Sequence, residues 1–373
     1  MSAERLARWF RWIAIAAVVG LGLTVVGAFV LPSRVVFAAW LAAYAYGLSL
    51  PLAALALLMI HDLAGGEWGV VLRPLLEAAV ATLPLFVLVF LPIPVAGLAA
   101  LYPWARPDVA ATLPNTFYLN VAGFDGRAAA YYVVWLVLAA FILRRSRLRL
   151  LAQDRSGSWV SAVGLLAMTL TVSFAGTDWF MSLEPRWSST MFGMIFGSSE
   201  FVTAFAVLVL LAVALEPPAM EQAKTRGLLG TILLVGLLFW SYVEFVQFLE
   251  VWEENLMDEI PWYLHRFAGG WGDVAIVVAL GRFAVPFLIL IWVPLRRSTG
   301  VLGALCAWLL LINLLYAWWL ILPAVSGRGF DWVAVAAAFG VGGAWMAACL
   351  TWLKAGGRAA DRWLLPRGRL GHA

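Results

Sequence analysis

Four charged side chains interrupt apolar segments that are otherwise long enough to cross a bilayer. Glu200 lies about nine residues into one segment, and Arg282 lies about ten residues into another that enters from the same side. At 1.5 Å per residue, both fall roughly 14 Å deep. Arg127 lies about ten residues into a third segment if that segment starts at Phe117, and Glu244 lies in the outer third of a fourth. Because an ionisable group in lipid is costly, each is a candidate functional residue.

The equal depth of Glu200 and Arg282 predicts that they neutralise each other as a pair near the membrane midplane. Asp178 closes another apolar segment at its outer end, and Tyr131 lies one helical turn beyond Arg127. Carboxyl and phenol groups at staggered depths are the side chains that a proton relay requires.

More ionisable residues surround the loop between the second and third apolar segments, namely His61, Asp62, Glu67 and Glu77. They predict a proton entry point, from which protons would pass toward Glu200 through hydroxyl groups and water. The hydroxyl groups at suitable depths are those of Thr169, Thr171 and Ser173. Three interpretations stay open at this stage: charges that hold helices together, a proton relay, and a quinone or other ligand site.

The composition determines the class of protein that holds these charges. The sequence is 64% hydrophobic and only 12% charged, and it contains 21 Trp and 22 Phe. A soluble domain carries about 25% charged residues. Lipid accommodates so much apolar surface when the backbone is hydrogen-bonded internally, and the long apolar runs favour helices over a barrel. We therefore predict an all-α polytopic membrane protein in the lipid bilayer.

Several cofactor and partner classes are disfavoured. Cys306 and Cys349 lie inside apolar runs without a C-x-x-C motif, so zinc, iron–sulfur and c-type haem sites are not expected. None of the three histidines is in the middle of an apolar segment, which disfavours haem b. The net charge of +4 comes from short loops, so no nucleic-acid partner is expected. We predict no metal site and no covalently bound cofactor.

A window of about 20 apolar residues predicts about ten transmembrane helices. Prolines at 84, 92 and 94 should kink the third span, and Pro286 should kink the eighth. The predicted spans are 12–31, 35–60, 78–101, 117–143, 159–178, 191–215, 228–249, 272–295, 301–324 and 332–353.

The distribution of Lys and Arg predicts the orientation. With the N-terminus inside, the inner segments hold 18 Lys and Arg and the outer segments hold 5. Only Arg127 and Arg282 remain, and both fall within predicted spans. By the positive-inside rule, this asymmetry predicts that both termini are cytoplasmic and that the number of spans is even.

The outer loops contain aromatic and acidic residues in place of basic ones. They predict a surface for an external partner, although an ordinary interfacial aromatic belt is an equally good explanation. The candidate docking residues are Trp179, Glu184, Trp187, Glu254, Asp258, Glu259 and Trp262.

Three segments resemble one protein family. Residues 178–193 (DWFMSLEPRWSSTMFG) closely resemble the DW-MSL-(D/E)-P-x-W-x-ST-x-(F/Y)-G signature of the F subunit of alternative complex III, which is related to the NrfD family. Residues 117–120 (FYLN) and 127–135 (RAAAYYVVW) are similar to its fourth-span segment. Residues 255–266 (NLMDEIPWYLHR) and 269–272 (GGWG) are similar to an outer loop. The resemblance extends over roughly residues 35–325.

The resemblance implies a fold and a role. It implies two four-helix bundles with two peripheral helices, which would divide the chain into 1–34, 35–182, 183–325 and 326–373, the last including a basic cytoplasmic tail. It implies a subunit of a bacterial inner-membrane complex that oxidises quinol. Its partners would be membrane subunits and periplasmic haem and iron–sulfur subunits, with a terminal oxidase as a further candidate. The subunit would lack a redox centre and would contact quinone, quinol or structural lipid.

Two other classes remain open, a stand-alone proton-coupled secondary transporter and a purely structural membrane anchor. A transporter should show interrupted helices at matching positions of two halves. An anchor should tolerate the loss of Glu200 and Arg282.

Overall fold

The chain is an all-helical multi-pass membrane protein, and the ten predicted spans are confirmed in this computed structural model. The structure describes residues 3–113, 115–152, 158–255, 257, 259–326 and 329–355. Those ranges contain no β-strand, and their long helices are α1 (Ala3–Val30), α2 (Ser33–Ala64), α3 (Glu67–Leu101), α4 (Val121–Ala152), α5 (Ser158–Trp179), α6 (Phe192–Leu215), α7 (Ala223–Glu254), α8 (Trp271–Ile291), α9 (Thr299–Ser326) and α10 (Trp332–Ala355).

The spans are 21 to 35 residues long, which meets the requirement of about 20 residues for a hydrocarbon core about 30 Å thick. Ten crossings within the described ranges place the start of α1 and the end of α10 on the same side of the membrane. We call that side inner, following the predicted orientation.

Helices α2 and α6 form the centre of the molecule. In their most apolar stretches, 83% and 78% of the residues are buried, against 22% in α1. Helix α2 packs against α3, α5, α6, α9 and α10, and α6 packs against α5, α7 and α9. Helix α1 packs mainly against α10, and α10 also packs against α2 and α3. The arrangement of two peripheral helices stays a prediction. The boundary between two bundles at residue 182 stays a prediction.

The contact between α1 and α10 depends on small residues. A Cβ atom added at Gly20 would lie 2.5 Å from the backbone nitrogen of Gly340, and one added at Gly343 would lie 2.9 Å from the Cβ of Ala17. Only glycine allows the two backbones to approach this closely, as is common between membrane helices.

Helix α3 is interrupted twice, as its prolines predict. Its first segment, Glu67–Ala81, is followed by Leu83–Phe90 and then by a π-helical turn over Ile93–Gly97. Trp40 of α2 donates a hydrogen bond of 2.8 Å to the carbonyl of Val89, just before that turn. Neighbouring side chains thus satisfy backbone groups that the interruptions release.

Helix α8 is also interrupted by a π-helical turn, and Arg282 lies in that turn. The turn spans Leu280–Ala284 and directly precedes Pro286. A proline ring clashes with the carbonyl four residues earlier, here that of Arg282, and wider winding relieves the clash. Trp308 of α9 donates a hydrogen bond of 2.8 Å to the carbonyl of Gly281.

One predicted helix boundary is wrong, and three predicted features fall on residues outside the described ranges. Helix α4 begins at Val121, because residues 115–120 form turns, so the expected start at Phe117 is wrong. The docking candidate Asp258, the outer-loop Arg328 and the basic tail after Ala355 lie outside the described residues.

Candidate functional site

The main polar site inside the membrane is a group that we call the central cluster: Ser199 and Glu200 of α6, Trp240 and Glu244 of α7, Arg282 of α8, and Asn313 and Tyr316 of α9. Arg282 is fully buried, and its Nη2 donates a hydrogen bond of 2.8 Å to the hydroxyl of Ser199. Its guanidinium carbon lies 3.9 Å from the ring centre of Trp240 and 4.3 Å from that of Tyr316. Two aromatic faces therefore stabilise the buried cation.

The central cluster also contains two carboxyl groups at membrane depth. Glu200 is about eight residues from the outer end of α6 and Glu244 about ten residues from that of α7, which corresponds to depths of roughly 12 and 15 Å. Tyr316 donates a hydrogen bond of 2.9 Å to Oε2 of Glu244. Tyr316 therefore contacts Arg282 with its ring face and Glu244 with its hydroxyl group.

The expected Glu200–Arg282 pair needs correction. Both residues belong to the central cluster, but among the described residues neither forms an ion pair within 4 Å. The guanidinium instead binds Ser199, the residue before Glu200. Equal depth could not predict this, because the rotation of each helix about its axis decides which side chain faces the guanidinium.

Several polar atoms of the central cluster have no hydrogen-bond partner in the protein. They are Oε2 of Glu200, Nε1 of Trp240, Nε and Nη1 of Arg282, and both side-chain polar atoms of Asn313. Glu200, Asn313 and Tyr316 border an internal cavity of about 20 Å³. One water molecule needs about 10–15 Å³ and polar neighbours, so the cavity suits one water. Buried polar atoms are normally satisfied, so this cluster is suited to hydration.

A second polar group, the inner cluster, joins the inner ends of α2, α3 and α4 around Arg73. Its guanidinium lies 3.1 Å from Glu77 Oε1 and 3.7 Å from Asp62 Oδ1. Ser146 accepts a hydrogen bond of 2.8 Å from Arg73 and donates one to Glu77. The ring of His61 lies 3.3 Å from Arg73. The structure thus brings the predicted entry residues together, with an arginine at their centre.

Glu67 does not belong to the inner cluster, although the sequence grouped it there. Its carboxylate lies 3.4 Å from Lys224 at the start of α7, and both side chains are exposed. An exposed ion pair of this kind contributes at most about 1 kcal/mol.

A third group, the outer cluster, connects α4 to the end of α5. Arg127 binds Asp178 through two parallel hydrogen bonds of 2.9 and 3.0 Å, and Tyr131 donates one of 2.7 Å to the same carboxylate. The guanidinium lies 3.9 Å above the ring of Tyr118. Burial, followed by the nearby Asp178 carboxylate, raises the pKa of Tyr118 to about 12.

The outer cluster corrects the expected depth of Arg127. Since α4 begins at Val121, Arg127 is only about six residues, or roughly 9 Å, from the outer end. Its partner is Asp178, so it is a paired arginine near the surface rather than a free charge near the midplane.

Aromatic side chains separate the inner and outer clusters. The hydroxyl groups of Tyr44 and Tyr132 lie 2.7 Å apart, and Tyr132 donates to the carbonyl of Phe86. The ring centre of Trp179 lies 5.5 Å from that of Tyr44 and 6.1 Å from that of Tyr132. With Tyr132 donating to a carbonyl, Tyr44 must be the donor between the two phenols.

The expected hydroxyl route to Glu200 is not continuous among the described residues. Thr171 accepts a hydrogen bond from Trp135 and donates to a carbonyl of its own helix, and Thr169 likewise donates within α5. Thr169 and Ser173 border a groove on the outside of the helices. A proton path between the inner cluster and Glu200 would therefore need water or another route.

A fourth group interlocks the two outer loops that carry the sequence motifs. The fully buried Arg266 donates hydrogen bonds of 2.7 Å to Oε1 of Glu184 and 2.7 Å to the carbonyl of Leu320, and it lies 3.7 Å above the ring of Trp262. Burial lowers the pKa of Arg266, and the Glu184 carboxylate opposes this effect. His265 also lies 3.2 Å from Glu184.

This interlock corrects most of the predicted docking surface. Trp179, Trp187 and Trp262 are buried within the chain, and the rings of Trp187 and Trp262 stack with their centres 4.7 Å apart. Glu184 is occupied by Arg266. Trp187, Trp262 and Glu184 hold the outer loops together, whereas Trp179 packs against Tyr44 and Tyr132 among the helices.

Two of the predicted docking residues remain accessible. Glu254, at the end of α7, is exposed, and Glu259 is partly exposed. Burial, and then the negative charges of Glu250 and Glu254, raises the pKa of Glu259. The outer end of α7 is therefore an acidic surface.

Sequence reasoning missed several residues of these groups. Trp240, Asn313 and Tyr316 carry no charge, so a search for buried ions did not find them. Arg73 was counted only as an inner basic residue. The spacing of Trp240 and Glu244 by one helical turn was a usable signal, because residues four apart share a helix face.

Comparison with protein-family models and with curated proteins finds no match to this chain. Within the described ranges, no group of three or more His, Cys, Asp or Glu side chains is arranged to hold a metal ion. The function is therefore argued from the clusters themselves and from the motifs.

Proposed function

We propose that the chain is a membrane subunit of a respiratory quinol-oxidising complex of the alternative complex III type, located in the bacterial inner membrane. In this proposal it holds no redox centre and provides a route for protons through the central cluster. The observation that carries the proposal is the position of Glu200. Its carboxyl oxygen lies at membrane depth without a protein partner, beside a cavity that suits one water.

The central cluster contains the parts that proton transfer requires. Glu200 and Glu244 are the groups that bind and release protons, and Arg282 is a fixed positive charge in the same cluster. The guanidinium donates to the hydroxyl of Ser199, the residue before Glu200, and the phenol of Tyr316, whose ring lies under the guanidinium, donates to Glu244. A water in the cavity would carry the proton from Glu200 to its neighbours, and protonation of one acid would weaken its attraction to Arg282.

The motifs support membership of such a complex in a different way. Asp178 opens the most specific motif and binds Arg127, while Glu184 of the same motif binds Arg266 of the other loop. The motif residues thus hold the outer loops in a fixed shape, and this is the role that we propose for them in such a complex.

The partners remain part of the proposal. They are membrane and periplasmic haem and iron–sulfur subunits, with a terminal oxidase as a further candidate. The exposed acids at the outer end of α7 lie beside the exposed side chains of Trp252 and Met257. A surface of this kind suits a partner with a basic rim and an apolar centre.

The first test is purification of the tagged chain from its own membranes in mild detergent, followed by a visible spectrum. We expect a multi-subunit band with haem absorbance. A colourless, monodisperse single chain would contradict membership of a redox complex.

The second test uses the purified complex in vesicles that contain a trapped pH-sensitive dye, with decylubiquinol as the electron donor. We expect Glu200→Gln to retain electron transfer and to lose most proton movement, because an amide cannot carry a proton. The matched control is Glu221→Gln, an exposed acid in the loop between α6 and α7. Equal proton movement in wild type and Glu200→Gln would refute the proposed route.

One observation favours a second candidate, a stand-alone proton-coupled transporter. Both α3 and α8 contain a π-helical turn beside a proline, and transporters often use such interrupted helices. If the ten helices are divided into two halves of five, α3 and α8 are both the third helix, so the interruptions fall at matching positions. Substrate-dependent proton uptake by the isolated chain would support this candidate.

A further inference from the structure

A lateral groove lies on the outside of the helices, between α5 and α7, with α2 and α6 behind it. Its volume is about 630 Å³, and its lining is mostly apolar. The apolar part includes Leu52, Ile60, Met168, Val235 and Phe239. The volume falls within the range of about 300–1,000 Å³ that is typical of small-molecule sites.

The groove and the internal cavity share one residue, Glu200. Glu200 is 7% exposed as a residue, and its Oε2 is buried and has no hydrogen-bond partner in the protein. A polar atom in apolar surroundings costs free energy unless it forms a hydrogen bond. The groove therefore combines a long apolar surface with one polar group that lacks a partner.

These features restrict the chemistry of an occupant. An occupant at this depth must enter from the bilayer, so it needs a long apolar chain. A charged head group is disfavoured far from the membrane surface, which argues against a phospholipid head. A hydroxyl group satisfies both conditions, because it is neutral and donates a hydrogen bond to a carboxyl oxygen.

We propose that the groove binds a neutral membrane lipid with a hydroxyl head group, and that this hydroxyl donates to Glu200. The proposal rests on the proposed function only for the proton-carrying role of Glu200. If both hold, the lipid head and the internal water lie on opposite sides of one carboxyl group. Occupancy of the groove would then control the proton affinity of Glu200.

Gly197 allows a direct test of the groove. It lines the groove on α6, and a Cβ added there would meet only Val172, at 4.0 Å. The first side-chain atom of a residue at position 197 therefore meets no close neighbour, and Gly197→Leu places apolar bulk in the groove. The matched control is Gly22→Leu on α1, where an added Cβ would meet nothing within 4 Å. Val235→Trp, at the exposed rim, is a second blocking variant.

The experiment isolates each full-length variant from its own membranes, washes it in detergent and identifies the retained lipids by mass spectrometry. We expect wild type and Gly22→Leu to retain about one neutral hydroxyl lipid per chain, as a pocket of this size holds one ligand. Retention should fall at least about tenfold in Gly197→Leu, since one excess methylene in an apolar pocket already changes binding by about 10–200-fold. Val235→Trp should reduce it as well.

Two results would overturn the inference: retention of only phospholipid by wild type, or equal retention by wild type and both blocking variants. Glu200→Leu should also lose the lipid, whereas Glu200→Gln should keep it because an amide oxygen accepts the same hydrogen bond. The two proposals can fail separately. Normal proton movement in Glu200→Gln would refute the proton route and leave lipid binding intact.

Discussion

Replacement of Glu184 by alanine is expected to destabilise the outer surface of the protein strongly. Glu184 supplies the carboxylate that faces Arg266, a residue that is only 1% exposed. The remaining partners of that guanidinium are the carbonyls of Leu320 and Trp262 and the ring of Trp262. Alanine would therefore leave a buried positive charge without its nearest negative charge.

The magnitude follows from the geometry of this pair. At a separation of 2.7 Å, the attraction in a medium of dielectric constant about 20 is about 6 kcal/mol before desolvation. Breaking a buried pair on one side typically costs about 3–5 kcal/mol. At about 2–4 °C per kcal/mol, this corresponds to a decrease in Tm of about 6–20 °C. Glu184→Gln keeps one hydrogen bond and should cost about 1–3 kcal/mol.

The assay is thermal unfolding of the purified variants in lipid nanodiscs. Glu253→Ala, which removes an exposed acid at the end of α7, is the matched control and should change Tm by about 1 °C or less. The double variant Glu184→Ala/Arg266→Met should recover part of the loss, because both charges are then absent. A Tm for Glu184→Ala equal to that of the control would refute the structural role of the pair.

Three further predictions concern other parts of the fold. Asp178→Asn should lower thermal stability by about 1–3 kcal/mol, because it removes the negative charge that faces Arg127 and keeps one acceptor oxygen; an unchanged melting curve would contradict this. Tyr118→Phe should remove one phenol that titrates at about pH 12, as followed by the absorbance at 295 nm. Between pH 10 and 12 the folded state keeps a proton that the unfolded state loses. The contribution of this tyrosine to stability therefore falls as pH rises through that range, and Tyr118→Phe should remove that part of the pH dependence. Gly20→Leu should separate α1 from α10 and lower Tm, whereas Gly22→Leu should not; equal effects would contradict the close packing.

Much of the fold could be predicted because the bilayer imposes simple rules. Apolar length identified all ten helices, and prolines identified the two that are interrupted. The largest boundary error was at residues 115–120, where an aromatic and polar stretch looked like the start of α4 but forms turns. Length and hydropathy cannot separate an interfacial turn from a first helical turn, because both tolerate the same residues.

The site was only partly predictable. Depth along a helix follows from residue counting, so Glu200 and Arg282 were placed at similar depths. Glu244 was placed too close to the outer surface, because the helix was expected to end at residue 249 and it ends at Glu254. Which of them touch depends on helix rotation and on the widened turn before Pro286, and neither is encoded in depth. Residue type also misled for Trp187, since an aromatic residue in an outer loop suits a docking surface and a buried stack equally well.

The sequence by itself determined that this protein is an all-helical membrane protein with ten spans and with charged residues at membrane depth. The reason is that the hydrocarbon core of the bilayer sets both the apolar composition and the length of each span. Only the tertiary structure decided the partners of those charges. In the structure, Arg127 binds Asp178, and Arg282 binds Ser199 and lies over two aromatic rings. Glu200 borders both the cavity and the groove, and its Oε2 has no hydrogen-bond partner in the protein. The physical reason is that a buried charge is stabilised by whatever groups helix packing brings within a few ångströms, and that packing depends on contacts between residues far apart in the chain.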